Sequence, residues 1–202
     1  VDAGAAFSCA VIEAWGTWED IVCWGMGYHG QMNHPGTSGA DNGVFWHQQK
    51  VTAGYGHGCS LDDQNQVATC WGHDNYGQVS GVNETGVTTS TYNPHYEDLG
   101  GTAVHWTISL SDLSAGTNHT CGVRTSGQLE CWGDLRYGLS PIPAGVFTQV
   151  AAGNHTTCAI DEDGYLECWG YDMYESLTLP DLSYACGDNV VEWGVDYGWW
   201  WY

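Results

Sequence analysis

Nine cysteines carry the most reactive chemistry in this 202-residue chain, and eight of them recur at two fixed places of a repeated segment. Cys9 with Cys23, Cys59 with Cys70, Cys121 with Cys131 and Cys158 with Cys168 each bracket a short stretch, and Trp-Gly follows the second cysteine every time. Such thiols can oxidise in pairs or ligate a metal. A metal site needs about four converging ligands, whereas each segment offers two thiols and no second pair at Cys-x-x-Cys spacing. A disulfide needs only two cysteines set opposite each other, which a hairpin supplies. Four bridges are therefore expected, each closing about 11 residues and stabilising by roughly 3 kcal/mol in the chain-entropy model. Bridges persist in oxidising compartments, which places the chain at the cell surface or outside the cell. The chain opens on Val1 rather than methionine, as a processed product or a cut fragment would. Cys186 is the odd cysteine. Its cross-strand position falls near Val190, so it is expected to be a buried free thiol or half of an intermolecular bridge.

Other reactive types form weaker constellations. A histidine stands shortly before the first cysteine of three hairpins, as His57, His119 and His155, and the first repeat has Phe7 there. A phenylalanine in that place favours a packing or hydrogen-bonding role over metal binding or catalysis. Asp161-Glu162-Asp163-Gly164 resembles the start of a calcium loop but lacks the downstream spacing and the bidentate Glu, and hairpin turns use the same residues. The chain has no Gly-x-Ser-x-Gly elbow, phosphate loop or His-Glu-x-x-His stretch. No catalytic residue, metal or cofactor is expected. Three sequons, at Asn83, Asn118 and Asn154, are candidate glycan carriers, with Asn83 in a Thr-rich stretch (Thr88, Thr89, Thr91) the best of them.

The elements that must position the cysteines are hairpins. In Val150–Gly170, VAAGNHTTCAIDEDGYLECWG, pairing Cys158 with Cys168 also pairs Ile160 with Leu166 and Asp161 with Tyr165. The loop is then Glu162-Asp163-Gly164, with glycine at the left-handed position a three-residue loop wants. Alternation puts Cys158, Ile160, Leu166 and Cys168 on one apolar face, and Ala159, Asp161, Tyr165, Glu167 and Trp169 on the other. The same template fits Val51–Gly72 and Leu113–Gly133, and more loosely Val1–Gly25 and Asp181–Gly194, the last without paired cysteines. Repeats are expected at about 1–50, 51–112, 113–147, 148–180 and 181–202, in one domain over 1–202. Long insertions lie at about 26–49 and 73–112, the latter read mostly as decorated loop. Trp132 and Trp169 stand 37 residues apart, the size of a four-stranded propeller blade. The fold class is all-β, a β-propeller of about five recognisable blades built from four-stranded repeats, each cysteine-paired hairpin stapled by its disulfide.

Charge limits the partners. Lys and Arg number three against 24 acidic residues, for a formal net charge of −21, so phosphate backbones and anionic membrane surfaces are repelled. With 12 Trp, 12 Tyr and 29 Gly the composition is that of a turn-rich β protein rather than an acidic disordered tail. No nucleic acid and no membrane insertion are expected.

The pattern Ala-Gly-x-x-His-Thr-Cys…Gly-x-Leu-x-Cys-Trp-Gly, followed by Tyr76-Gly77-Gln78 or Arg136-Tyr137-Gly138, resembles the repeats of the regulator of chromosome condensation superfamily. It is most similar to the cysteine-paired versions of secreted bacterial proteins, and the propeller-type β-lactamase inhibitor protein is a relative. The resemblance implies a propeller; it does not imply nucleotide exchange, because the charge and cysteines do not match a chromatin-bound factor. It also implies that the tryptophans of Cys-Trp-Gly, with Trp193 in the last unit, pack between blades. The short last unit, Cys186 and the terminal Trp199, Trp200, Trp201 and Tyr202 read as an unfinished edge: its strand is expected to fold back as the closing strand of the ring, and some of its tryptophans to recruit a protein partner, self-association being the favoured case. The function expected is a non-catalytic secreted assembly module, a structural subunit of an extracellular surface assembly or filament. A soluble binder or inhibitor using Tyr28, Trp46, Tyr92 and Tyr96 is the alternative, and a glycan-binding lectin the weaker third.

Overall fold

The computed structural model describes residues 1–14, 18–32, 34, 48–62, 64, 66–80, 104–172 and 177. The chain divides into two compact units, Val1–Tyr171 and Asp172–Tyr202. In the second, the Leu177 amide donates to the Asp172 carboxylate at 3.1 Å. Asn83, the Thr-rich stretch, Trp46, Tyr92, Tyr96, Cys186, Trp193 and Trp199 to Tyr202 lie outside the described residues.

The first unit is all-β among the described residues. Its strands are β1 (Asp2–Ala3), β2 (Phe7–Ala14), β3 (Trp18–Gly25), β4 (Gln48–Ala53), β5 (His57–Asp62), β6 (Val67–Gly72), β7 (Val104–Ala115), β8 (His119–Arg124), β9 (Leu129–Gly133), β10 (Phe147–Ala152), β11 (Thr156–Asp161) and β12 (Leu166–Gly170). They form antiparallel sheets in the orders β1-β2-β3, β4-β5-β6-β7-β8-β9 and β10-β11-β12. Each cysteine pair sits at directly opposed positions of a hairpin and is bridged: Cys9–Cys23, Cys59–Cys70, Cys121–Cys131 and Cys158–Cys168. Ile160 faces Leu166 as the alternation requires. Gly164 closes the turn at φ +87°, and the Asp161 carboxylate accepts the amides of Asp163 and Tyr165 at 3.0 and 2.7 Å. That carboxylate serves the turn, as a hairpin reading of the acidic run anticipates.

β7 joins two repeats. Its first half pairs with β6 and supplies a fourth strand to the second repeat; its second half, from Leu110, pairs with β8 as the innermost strand of the third. The strand therefore runs through the boundary expected at 112/113, and part of the insertion read as loop is strand. Register shifts recur at one place of the innermost strand, before Lys50, Asp112 and Gln149, and twist each sheet alike.

Consecutive repeats stack by one rule: the disulfide face of each is covered by the tryptophan face of the next. Phe7, Cys9 and Ile21 pack with Val51, Ala53 and Trp71. Cys59, Leu61, Cys70 and Val79 pack with Leu110, Leu113 and Trp132. Cys121, Val123, Cys131 and Leu139 pack with Phe147, Val150, Ala159 and Trp169. Trp71 and Trp132 are fully buried, worth about 2–3 kcal/mol each from area alone. Polar contacts repeat with the same spacing. The amides of Ala53, Ala115 and Ala152 donate to side-chain oxygens of Asp2, Thr52 and Ser114 in the preceding repeat at 2.8–2.9 Å. The glycine beside each makes room: a Cβ on Gly54 would sit 2.3 Å from the Gly116 carbonyl oxygen, and one on Gly116 2.4 Å from that of Gly153. Only glycine lets three innermost strands approach so closely.

Candidate interaction surface

The histidines that sequence singled out divide into two roles. His57 is fully buried, its ring against Gly54, and its Nε2 lies 2.9 Å from Thr120 Oγ1 in the next repeat. The Thr120 hydroxyl donates its one proton to the Gln78 carbonyl at 3.0 Å, so His57 Nε2 carries the hydrogen in this bond. His119 repeats the arrangement on Thr157 at 2.8 Å. Burial, then neighbouring imidazoles, push His57 down to about 3, and burial, then His155, push His119 down to about 4. Both are held neutral at the junction between repeats. His155 is different. Counted from its cysteine it is one residue early, Thr156 holds the place of His57 and His119, and the half-buried His155 meets the Tyr137 ring at 5.0 Å between centroids.

Tyr-Gly-Gln also serves stacking. Gln31 and Gln78 are buried, and their Oε1 atoms accept the amides of His29 and Tyr76 at 2.7 and 2.9 Å. Their backbone carbonyls accept the indole N–H of Trp71 and Trp132, the next repeat's tryptophans, at 2.8 and 2.9 Å. The Gln side chain thus holds a loop whose carbonyl receives the following blade.

The chain leaving each Cys-Trp-Gly bends back onto the turn that leads into its own hairpin. The amides of Met26, His73, Asp134 and Tyr171 donate to the carbonyls of Ala6, Gly56, Asn118 and His155, each at 2.8 Å. The bend needs glycine: Gly25, Gly72, Gly133 and Gly170 have φ between +97° and +119°, where a Cβ strains the backbone. Because the bend is the same in every repeat, the residues after it come to one edge of the sheets in a row. His29 lies 4.6 Å from His73 between ring centroids, and His73 6.4 Å from Tyr76. The Arg136 guanidinium stands over both Tyr76 and Tyr137, at 5.5 and 5.6 Å, and Tyr137 meets Tyr171 at 6.1 Å. Asp134 holds Arg136 through two bonds of 2.7 and 2.8 Å, and the hydrogen bond from Arg136 lowers the Asp134 carboxyl below its usual range. His73 accepts at Nδ1 from Gln78 at 3.0 Å, and burial, then His29, lower its pKa. Tyr28, Tyr137 and Tyr171 are exposed along this edge. The row offers flat aromatic faces for stacking and cation–π contact, worth about 0.5–1 kcal/mol per exposed pair.

Of the expected surface residues, Tyr28 belongs to the exposed set, Asn154 is exposed and Asn118 is half-buried. Trp71, Trp132 and Trp169 lie between repeats as expected, but Trp24 is half-exposed, because among the described residues no disulfide face covers it. Sequence reasoning missed the row. The signal was the tyrosine recurring four or five residues after the tryptophan, as Tyr28, Tyr76 and Tyr137.

Residues 111–138 and 147–174 match the regulator of chromosome condensation (RCC1) repeat. Comparison with curated protein sequences gives no significant match. Among solved structures, the ectodomain of the receptor kinase CR4 from Physcomitrella patens is 25% identical over 84% of this chain and 40% of its own, with a TM-score of 0.54. The CRINKLY WD40 ectodomain of the receptor kinase ACR4 from Arabidopsis thaliana is 22% identical over 84% and 48%, with a TM-score of 0.53. Prp20p from Saccharomyces cerevisiae, described with its binding to Gsp1p and histones, is 18% identical over 79% and 43%, with a TM-score of 0.55. The chain spans less than half the length of each of these.

Proposed function

The chain carries regulator of chromosome condensation type repeats on an all-β, propeller-type fold, and from that premise we propose that it works outside the cell as a non-catalytic protein-interaction module, a structural subunit of a surface assembly. The observation that carries the reading is the row of aromatic side chains crossing the repeats at one edge, with His29, Tyr137 and Tyr171 exposed and His73, Tyr76 and His155 half-buried. Stacked repeats hold such a row at fixed spacing, and pre-ordered aromatic side chains lose little entropy when a partner arrives. The extracellular setting is supported by four disulfides and by the likeness to two receptor ectodomains. Taken from its native medium or cell surface and sized by light scattering, the material is expected to exceed one chain and to contain protein in stoichiometric amount. Recovery as a single chain with no protein attached overturns the reading.

A second reading, a soluble binder, is favoured by one contact. Arg136 lying over Tyr76 and Tyr137 is an internal instance of these rings accepting a guanidinium. In a chain of net charge −21, a basic segment of a partner would suit the same faces.

A further inference from the structure

Among the described residues, only the second repeat sets an imidazole against a buried amide where the chain leaves its Cys-Trp-Gly bend. His73 follows Gly72 there, while Met26, Asp134 and Tyr171 hold the same place in the other repeats. The Gln78 side chain is fully buried. Its Oε1 accepts the Tyr76 amide at 2.9 Å, and its Nε2 lies 3.0 Å from His73 Nδ1. The Tyr76 N–H is a donor at any pH, so it fixes Oε1 on its own side and turns the Gln78 NH2 toward His73. His73 Nδ1 is therefore the acceptor, and the ring hydrogen is on Nε2.

A proton on Nδ1 leaves this arrangement one acceptor short. The Gln78 amide has a single accepting end, which then faces two N–H donors, the Tyr76 amide and the His73 ring. A hydrogen bond from a charged donor is about twice as strong as one between neutral groups, so the oxygen goes to His73. The Tyr76 backbone loses its hold. The rest of the loop is secured by other groups. The Asp74 carboxylate accepts the amides of Val79 and Ser80 at 2.8 and 3.0 Å. The Gln78 carbonyl accepts Trp132 Nε1 and the Thr120 hydroxyl at 2.9 and 3.0 Å. None of these bonds uses the Gln78 side chain, so the junction to the third repeat persists while the Tyr76 end opens.

The charges around His73 keep the arrangement closed at neutral pH. Among the described residues the titratable groups facing it are His29 of the first repeat, His57 at the start of β5, and Asp74 and Tyr76 on its own loop. Only Asp74 favours a cation there, and burial, then His29, lower the His73 pKa from the ordinary 6.5. A charged His73 would also stand 6.4 Å from the Tyr76 ring, over which Arg136 already lies at 5.5 Å.

We propose that His73 and Gln78 form a proton-operated latch on the aromatic row: a proton taken from solvent by His73 Nδ1 draws the Gln78 oxygen off the Tyr76 amide and releases Tyr76. No bond between heavy atoms forms or breaks. Resting on the row as the contact surface, the latch makes that contact hold at neutral pH and weaken in acid, because Tyr76 and the Arg136 above it link the second and third repeats along the row.

The test is an NMR titration of the oxidised chain from pH 7 to pH 4.5, alongside His73→Met, which copies Met26 of the first repeat and does not titrate. At pH 7 the nitrogen shifts of His73 are expected to place the hydrogen on Nε2. As pH falls, the His73 ring and the Tyr76 amide are expected to shift with one midpoint, and protection of that amide from hydrogen exchange to drop about tenfold, the loss of one hydrogen bond. The Trp132 indole signal stays in place, and in H73M the Tyr76 amide ignores pH. A hydrogen on Nδ1 at pH 7, a ring that stays neutral throughout, or a Tyr76 amide that moves equally in H73M overturns the latch. So does loss of the Trp132 signal in step with Tyr76, which marks unfolding. Native material sized by light scattering at both ends of the range is expected to come apart in acid; an assembly of unchanged size while the latch opens overturns its regulatory role. A lone chain at every pH removes the contact reading, and the titration still decides the latch.

Discussion

A buried imidazole held neutral by its surroundings makes stability depend on pH in a direction that can be worked out. In the unfolded chain His57 and His119 protonate near their ordinary 6.5; in the folded chain they resist protonation down to about 3 and about 4. Between these limits the unfolded state binds more protons, so stability is full above pH 6.5 and is lost as pH falls toward the folded values. At pH 5 each contributes a deficit of roughly 2 kcal/mol. Thermal unfolding of wild type is expected to fall steeply from pH 6.5 to pH 4.5. The double variant His57→Phe, His119→Phe, which copies Phe7 of the first repeat, is expected to lose most of that slope, at about 1 kcal/mol per site at pH 7 for the missing hydrogen bond. An unchanged slope in the double variant would show that other groups set the acid sensitivity. The packing role of these histidines was legible because Phe7 replaces one of them. Their partners were not, since Thr120 and Thr157 belong to other repeats. His155 looked equivalent only because Asn-His-Thr occurs twice, once a residue out of step with the cysteine.

At the scale of the hairpin, the cysteines made register readable: two residues that must face each other fix every other pair, and alternation then assigns the faces. What the pattern could not assign was which face meets which neighbour, because that is settled between segments 38 to 63 residues apart. The strand hidden in the long insertion was readable in principle, since Val104, Trp106 and Ile108 alternate with His105, Thr107 and Ser109. Its Thr-rich approach argued for loop instead. The hairpins also allow two contributions of a disulfide to be separated. Cys121–Cys131 and Cys158–Cys168 each span 10 residues, so the loop-entropy contribution, about 3 kcal/mol, is the same for both. Their surroundings differ: the first is buried against Leu139 and Phe147, the second half-exposed. Removing the first leaves a cavity as well as a longer loop, at an additional cost of about 1 kcal/mol or more. At concentrations too low for self-association, the melting temperature of C121A/C131A is expected to lie about 2–4 °C below that of C158A/C168A. Equal melting temperatures would mean that the stacked face relaxes to fill the space.

Across the whole molecule the negative charge is nearly unopposed. All three cations are engaged with carboxylates, Lys50 with Asp112, Arg124 with Glu130 and Arg136 with Asp134, at 2.6–2.7 Å, so none is left to offset the surplus. Mutual repulsion of the carboxylates opposes the compact state, and repulsion between copies opposes self-association. Salt shortens the range of both, from about 30 Å at 0.01 M to about 3 Å at 1 M. Stability and self-association are therefore expected to rise together with sodium chloride, most steeply at the low end where screening changes most. Acid provides a control on the cause. A carboxylic acid ordinarily loses its charge only as pH approaches about 4, so acidification from pH 6.5 to pH 5 acts chiefly through imidazoles. Over that interval added salt should raise the stability curve without flattening it, since screening acts on exposed charges and leaves the desolvated imidazoles almost untouched. A curve that salt flattens would assign the acid sensitivity to surface charge, and one that salt lowers would show that the three ion pairs, not the surplus, dominate the balance.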